Sequence, residues 1–116
     1  MKKILIVDDE PNIVMTLEYT FKKSNYEVFI ARDGQEALDI LKTNFPDVII
    51  LDIMMPMVDG FATLEQIRKD ANLQHTKVML LSAKNKESDI EKGLALGADA
   101  YMTKPFSIKK VVEKVE

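Results

Sequence analysis

The run Val48-Ile49-Ile50-Leu51-Asp52 determines how the rest of this chain is interpreted. Its four apolar residues, three of them β-branched, are too few for a helix, and such a run is typical of a buried strand in a parallel sheet. The run ends on a carboxylate, and Pro46 before it and Gly60 after it indicate loops on both sides. The sequence therefore predicts a central strand with an acidic group at its carboxyl end.

Other short apolar runs in the chain have the same form. A weaker run, residues 26–30, is interrupted by Glu27, which favours a position at the edge of a sheet. The remaining predicted strands, with the polar residues that follow them, are 3–7 with Asp8 and Asp9, 78–81 with Ser82, and 100–103 with Lys104 and Pro105. The chain is thus predicted to contain five strands, four of which end on groups capable of chemistry.

A helix is predicted after each strand. Pro11 lies in the first turn of the first helix, where its missing N–H costs nothing, and Asp33 with Glu36 has capping-box spacing at the start of the second. Gly97 follows the fourth helix as a left-handed cap. The predicted helices cover residues 10–23, 33–43, 60–69, 86–96 and 106 onward.

The alternation of strands with single helices predicts the fold class. Such strands pair in parallel, because each crossover returns the chain to the same end of the sheet. The prediction is an α/β fold with a doubly wound five-stranded parallel sheet and helices on both faces. The weak second strand favours the flavodoxin-like order 2-1-3-4-5. Residues 1–116 are expected to form one domain, with no second domain in this chain.

Composition excludes several classes of function. The chain has 116 residues and a net charge of -3, with 47% hydrophobic and 30% charged residues, as in ordinary soluble domains. Its lysines are scattered, whereas a nucleic-acid surface needs a basic patch, so no direct nucleic-acid binding is expected. Cysteine is absent, which excludes a disulfide framework and fits the cytoplasm, where we expect the protein. No apolar run suits a signal peptide or a membrane span, so no membrane partner is expected.

Polar groups from four predicted strands are expected to meet at one edge of the sheet. Parallel strands end along the same edge, and the order 2-1-3-4-5 makes strands one, three and four neighbours. Three carboxylates at close range repel one another, and a divalent cation with oxygen ligands relieves that repulsion. Mg²⁺ fits, with Mn²⁺ as an alternative, because it binds few carboxylates and favours phosphate oxygens as further ligands. The residues that the edge brings together are Asp8, Asp9, Asp52, Ser82 and Lys104.

A phosphoryl group is the substrate that suits this edge. Lys104 as a point cation and Ser82 as a hydroxyl donor can bind its oxygens. An aspartate can attack phosphorus itself, and Asp52 is the best candidate because its strand is central and no second acid lies beside it. Each residue also has an ordinary structural explanation, since the acids could cap helices, the serine a turn, and the lysine could be solvated. Five such coincidences on one edge are improbable.

These residues resemble those of the response-regulator receiver domains of two-component signalling, and the resemblance covers essentially the whole chain. Each matching segment is modest alone, but the set in this order is highly specific. The segments are Asp8-Asp9, Asp52 with the downstream run 55–60 (MPMVDG), Ser82-Ala83, and Lys104-Pro105-Phe106 after Gly97-Ala98-Asp99.

The resemblance implies a function and a metal site. Asp52 is expected to accept a phosphoryl group from the phosphohistidine of a histidine kinase or a phosphotransfer protein. Asp9, Asp52 and the backbone carbonyl of Met54 are the implied Mg²⁺ ligands, and Asp8 is implied to support the metal through water. Beyond phosphorylating itself and slowly losing that group, the domain is not expected to be an enzyme.

The resemblance also implies how the signal is transmitted and how long it lasts. Ser82 and Lys104 are expected to bind the phosphoryl oxygens, with a cis peptide bond between Lys104 and Pro105. Ser82 and Tyr101 match the switch residues, and the fourth helix, fifth strand and fifth helix form the face that controls a downstream effector domain or protein. Met54 and Lys84 occupy the two positions that flank the water attacking the phosphorylated aspartate.

These residues admit three rival interpretations, and one residue of the chain departs from the pattern of the family it resembles. An aspartyl phosphohydrolase would have a second acid at position 54, where this chain has Met. A flavin-binding module of the same fold would have a Gly/Ser/Thr-rich phosphate loop after the first strand, where this chain has acids. A degenerate receiver used only for docking would lack a required group, and none is missing. Ala100 replaces an acid that helps the winged-helix transcription-factor group to dimerise, which puts such a dimer in doubt.

The chain's end leaves two arrangements open. The last predicted helix runs to Val115-Glu116 without a cap or breaker. The sequence is compatible with a short stand-alone receiver or with a receiver separated from a downstream effector domain, and the second is favoured.

Overall fold

The computed structural model describes residues 1–54 and 59–115. The loop predicted after the central strand therefore lies outside the described residues from 55 to 58, as does residue 116. The strands are β1 (Lys3–Val7), β2 (Glu27–Ala31), β3 (Val48–Leu51), β4 (Lys77–Ser82) and β5 (Ala100–Thr103). The helices are α1 (Pro11–Lys23), α2 (Gly34–Ile40), α3 (Gly60–Lys69), α4 (Glu87–Ala95) and α5 (Ile108–Val115), with a short 3-10 turn at Ala71–Leu73.

The strands form one parallel sheet, and the predicted fold class is confirmed. Their order is β2-β1-β3-β4-β5, and every neighbouring pair runs in parallel. β2 lies at an edge, as the interrupting Glu27 predicted. Among the described residues, no helix is both long and apolar enough to cross a membrane.

Helices cover both faces of the sheet, and the side chains of each strand point alternately to one face and the other. In β1, Leu5 and Val7 pack against one apolar layer while Ile4 and Ile6 pack against the other, and all four are fully buried. The first layer includes Ala37 of α2 and residues of α3, and the second includes residues of α1 and α5. Because side chains in a strand alternate between faces, an unbroken apolar run is what a sheet covered on both sides requires.

Helix ends differ from the predicted boundaries for local reasons. α2 ends at Ile40 and not near residue 43, because the chain leaves the helix through a turn after Leu41. Its start is as predicted, since the Asp33 carboxylate accepts a hydrogen bond of 2.8 Å from the N–H of Glu36. α5 begins at Ile108 and not at residue 106, and the Ser107 hydroxyl accepts a hydrogen bond from the N–H of Lys110 in its first turn.

Strand register brings the functional groups to one edge. Val7 pairs with Leu51, so the acids that follow these two residues, Asp8 and Asp52, lie side by side. Ser82 pairs with Thr103, and the N–H of Lys104 donates to the carbonyl of Ser82 over 2.8 Å. One edge of the sheet therefore holds an acidic pair, at the carboxyl ends of β1 and β3, and a Ser–Lys pair, at the carboxyl ends of β4 and β5.

Candidate functional site

Asp8 and Asp52 are held in the same way at the ends of adjacent strands. Each side chain is 2% exposed. In each, Oδ1 accepts a hydrogen bond of 2.9 Å from the backbone N–H two residues further along, at Glu10 and at Met54 respectively. This local turn is a common conformation of aspartate. It fixes one oxygen of each carboxylate to the backbone and leaves Oδ2 directed into the site.

The Lys104 ammonium lies among three carboxylates. Its Nζ is 3.0 Å from Asp8 Oδ2, 3.0 Å from Glu10 Oε1 and 3.1 Å from Asp52 Oδ2. A lysine ammonium has three N–H groups, so these contacts engage all of them. Lys104 enters the site at the end of β5, and its side chain is 10% exposed. The cation and the acids therefore form one partly buried cluster.

Burial and charge act in opposite directions on the two central groups. Burial raises the pKa of the Asp52 carboxyl, although the N–H of Met54 and the charge of Lys104 act to lower it. For Lys104, burial alone would lower the pKa, but its hydrogen bonds to Glu10 and Asp8 and the charge of Asp52 raise it above its usual value. Lys104 is consequently a permanent cation, while Asp52 is held in a site that disfavours its charge.

The two switch candidates are connected through the backbone of Lys84. Ser82 is fully buried, and its hydroxyl oxygen accepts a hydrogen bond of 3.2 Å from the N–H of Lys84. The hydroxyl of Tyr101 donates to the carbonyl of Lys84 over 2.8 Å. Burial, followed by the charge of Asp89, raises the pKa of Tyr101. A displacement of Ser82 would therefore reach the Tyr101 ring through a single residue.

The other predicted site residues are placed less centrally. Asp9 is exposed and lies outside the carboxylate cluster, on the wall of a neighbouring cavity of about 350 Å³ between α1 and the end of β2. Met54 is 52% exposed, and its N–H rather than its side chain contacts Asp52. The ammonium of Lys84 lies 5.9 Å from the ring centroid of Phe61. The Lys104–Pro105 peptide bond is cis, which the resemblance implied.

Glu10 belongs to the site, and the sequence analysis did not identify it. Helical periodicity assigned this residue to the start of the first helix. In the structure it precedes α1 with an extended backbone, and its carboxylate is directed to Lys104 instead of capping any described N–H of the helix. The acidic run Asp8-Asp9-Glu10 was the available signal, since a third acid after two others at a strand end can reach the same edge.

A cavity and a close backbone contact complete the surroundings. The cavity, of about 440 Å³, opens beside the cluster and is lined by Glu10, Ile13, Ala83, Lys104, Pro105 and Phe106. On the other side, Gly60 approaches so closely that an added Cβ would lie 2.3 Å from the Ile53 Cα and 2.8 Å from the Asp52 carbonyl oxygen. A glycine is required there because any side chain would displace the backbone that carries Asp52.

The oxygens of the cluster fit a hard divalent cation. One carboxylate oxygen from each of Asp8, Glu10 and Asp52 lies within 4.8 Å of the other two. Oxygen donors of this kind, provided by two buried acids and one exposed acid, are what Mg²⁺ takes in combination with water and phosphate oxygens. The edge of the sheet that carries these carboxylates also carries the Lys104 ammonium and the buried Ser82 hydroxyl.

Known proteins resemble this chain in both sequence and fold. Residues 4–116 match the family model described as the response regulator receiver domain. The chain is 46% identical over 115 residues to the alkaline phosphatase synthesis transcriptional regulatory protein PhoP of Bacillus subtilis (strain 168). That match covers 99% of this chain and 47% of the relative, so the chain spans about half its length.

Solved structures of similar proteins have the same architecture. The receiver domain of the Francisella response regulator 1452 is 37% identical, with a TM-score of 0.90 over 99% of this chain and 93% of that one. The chemotaxis response regulator CheY4 of Vibrio cholerae is 32% identical, with a TM-score of 0.91 over 100% of this chain and 99% of that one. Both similarities cover nearly the full length of this chain and of the solved chain, and are not confined to the residues of the site.

Proposed function

The chain belongs to the response regulator receiver domain family, and on that premise we propose that Asp52 accepts a phosphoryl group from the phosphohistidine of a histidine kinase or phosphotransfer protein. The observation that carries the proposal is the position of Asp52 Oδ2, 3.1 Å from a lysine ammonium at the end of a central strand. Such an oxygen is held beside the cation that can bind the incoming group.

The transfer is a displacement at phosphorus. An oxygen of Asp52 forms the new bond to phosphorus while the bond from phosphorus to the donor imidazole nitrogen breaks, and that nitrogen keeps the electron pair. Lys104 donates to one phosphoryl oxygen and offsets the charge that gathers there, and the Ser82 hydroxyl donates to another. The backbone N–H of Met54 keeps the other Asp52 oxygen in place, so the attacking atom stays oriented.

Mg²⁺, with Mn²⁺ as an alternative, is the proposed cofactor. When bound, the ion supplies positive charge to the oxygens of the transferring group. Asp8 and Asp52 provide the buried oxygens of the cluster, whereas the nearby Glu10 oxygen is bound to Lys104 and is not assigned to the metal. The family resemblance adds Asp9, the Met54 carbonyl and a water-mediated role for Asp8, and these assignments remain part of the proposal.

The phosphorylated domain is proposed to act as a switch and not as an enzyme with a separate substrate. Its signal leaves through the face formed by α4, β5 and α5, where Tyr101 lies, and controls a downstream effector domain or protein. PhoP, a transcriptional regulatory protein about twice as long as the matched part, supports an effector of this kind. The proposal places the domain in the cytoplasm, where kinases and their phosphodonors act.

Mass spectrometry of the intact protein tests the proposal. Incubation with acetyl phosphate and Mg²⁺ should add one phosphoryl group to the wild type and none to Asp52→Asn. Asp39→Asn removes an exposed carboxylate of α2 and should be modified normally. Phosphorylation of Asp52→Asn, or of the wild type in excess chelator, would contradict the assignment of the acceptor or of the metal requirement.

A further inference from the structure

Glu10 takes one of the three hydrogens of the Lys104 ammonium. Its Oε1 lies 3.0 Å from Nζ, as close as the oxygen of Asp8 and slightly closer than that of Asp52. Since a lysine ammonium has three N–H groups, no hydrogen is left for an additional acceptor. A phosphoryl oxygen that reaches Lys104 must therefore displace one of these carboxylates.

Exposure identifies Glu10 as the carboxylate that is released most readily. The Glu10 side chain is 57% exposed, whereas that of Asp8 is 2% exposed and is also bonded to the backbone. An exposed carboxylate that leaves its cation is solvated at once, but a buried one loses its partner without gaining water. Asp52 is the acceptor itself and stays at the site throughout the transfer.

Glu10 has no other role in the described structure that would compete with its release. It occupies the N-cap position of α1, yet its side chain makes no capping hydrogen bond to the described residues. Pro11 follows at the first helical position, where the helix has no N–H to satisfy. A substitution at Glu10 therefore leaves the start of α1 with the same backbone hydrogen bonds.

We infer that Glu10 is a resident anion that competes with the phosphoryl group for Lys104 and thereby slows the phosphorylation of Asp52. The inference rests on the proposed function. With acetyl phosphate, an Asp52 oxygen bonds to phosphorus, the bond from phosphorus to the acetyl oxygen breaks, and acetate leaves with the electron pair. Glu10 forms and breaks no covalent bond, so it is a positioning residue that acts through Lys104.

The test compares rates of phosphorylation by acetyl phosphate at fixed Mg²⁺, followed by intact mass. Glu10→Gln should react about fivefold faster than the wild type, which corresponds to ~1 kcal/mol in the barrier. Glu10→Asp keeps the charge but withdraws it by one methylene, and it should also react faster. Glu18→Gln makes the same change of charge about two turns further along α1 and should react like the wild type.

Three outcomes would overturn the inference. An unchanged or lower rate in Glu10→Gln would show that Glu10 does not compete. A faster Glu10→Gln beside an unchanged Glu10→Asp would indicate general repulsion of the donor and not contact with Lys104. A severalfold loss of Mg²⁺ affinity in Glu10→Gln would make Glu10 a metal ligand instead. Failure of the wild type itself to react would refute the proposed function first, so the two failures are distinguishable.

Discussion

The ammonium nitrogen of Lys104 lies 3.1 Å from Oδ2 of Asp52, although 52 positions separate the two residues in the sequence. Asp8 Oδ2 lies 3.0 Å from the same nitrogen, and both acids are 2% exposed. Two buried carboxylates thus share one cation. Its removal would leave both charges without a partner and without water, which costs more than the loss of an exposed ion pair.

Lys104→Met tests this dependence, since the substitution keeps an apolar stem and removes the charge. We expect the free energy of unfolding at neutral pH to fall by about 3 kcal/mol, the cost typical of breaking a buried ion pair. Urea unfolding measures it. Lys42→Met is the matched control, because its ion pair with Asp39 is exposed and should contribute less than about 1 kcal/mol. Equal effects of the two substitutions would mean that the acids at the site are not dependent on Lys104.

Asp52→Asn should stabilise the protein at neutral pH. Burial raises the pKa of Asp52 in the folded state. The Asp52 carboxyl of the folded protein therefore keeps its proton at a pH where the same carboxyl of the unfolded chain has lost it. The folded state then binds more protons, and stability falls as the pH rises from about 3.9 through the raised pKa. Asparagine carries no charge and avoids that loss, and its oxygen can still accept from Lys104.

Urea unfolding across pH 3 to 7 checks this sign. The difference in free energy of unfolding between Asp52→Asn and the wild type should be largest at pH 7 and should become independent of pH as the pH falls to about 3, below the unfolded pKa. Asp39→Asn, at an exposed position, should show no such trend. A less stable Asp52→Asn at pH 7 would show that attraction to Lys104 outweighs the cost of burying the charge.

The fold was predictable because its signal is periodic and local. Unbroken apolar runs such as residues 4–7 and 48–51 form strands buried on both faces, and alternation with helices leaves parallel pairing as the simple outcome. The interruption at Glu27 was enough to place β2 at the edge. The meeting of Asp8, Asp52, Ser82 and Lys104 at one edge then follows from strand order alone.

Side-chain reach and close backbone contacts were not predictable in this way. Glu10 joins the site through a side-chain conformation at the start of α1, where an acid is already favourable for the helix and so attracts no notice. Gly60 was interpreted as a loop residue. A glycine is required at this position because the backbone of Asp52 and Ile53 lies too close to leave room for a Cβ atom. Each feature depends on distances that periodicity does not encode.

Ser82→Ala should separate phosphorylation from its structural response. The Lys84 backbone accepts from Tyr101 and donates to Ser82, so loss of the Ser82 hydroxyl removes one end of this connection. A ligand shifts a conformational equilibrium only by its differential contacts with the two states. We expect Ser82→Ala to be phosphorylated at Asp52 but to show smaller changes in amide chemical shifts over residues 94–106.

The comparison uses spectra recorded before and after addition of the phosphodonor. Ser24→Ala, at an exposed position after α1, is the control and should respond like the wild type. Shift changes in Ser82→Ala that match the wild type across residues 94–106 would show that the response of Tyr101 does not pass through Ser82.

Met54 and Lys84 should make the phosphorylated state long-lived. Met54 is 52% exposed beside Asp52, and its thioether cannot orient an attacking water as an amide could. The ammonium of Lys84 lies 5.9 Å from the Phe61 ring centroid, and a cation does not act as a general base. Met54→Asn should therefore shorten the lifetime by about tenfold, or roughly 1.4 kcal/mol in the barrier. Decay of the phosphorylated protein after donor removal, at fixed Mg²⁺, measures this, and Met15→Asn on the exposed surface of α1 is the control. If Met54→Asn decayed at the wild-type rate or more slowly, water access would be governed by groups other than this side chain.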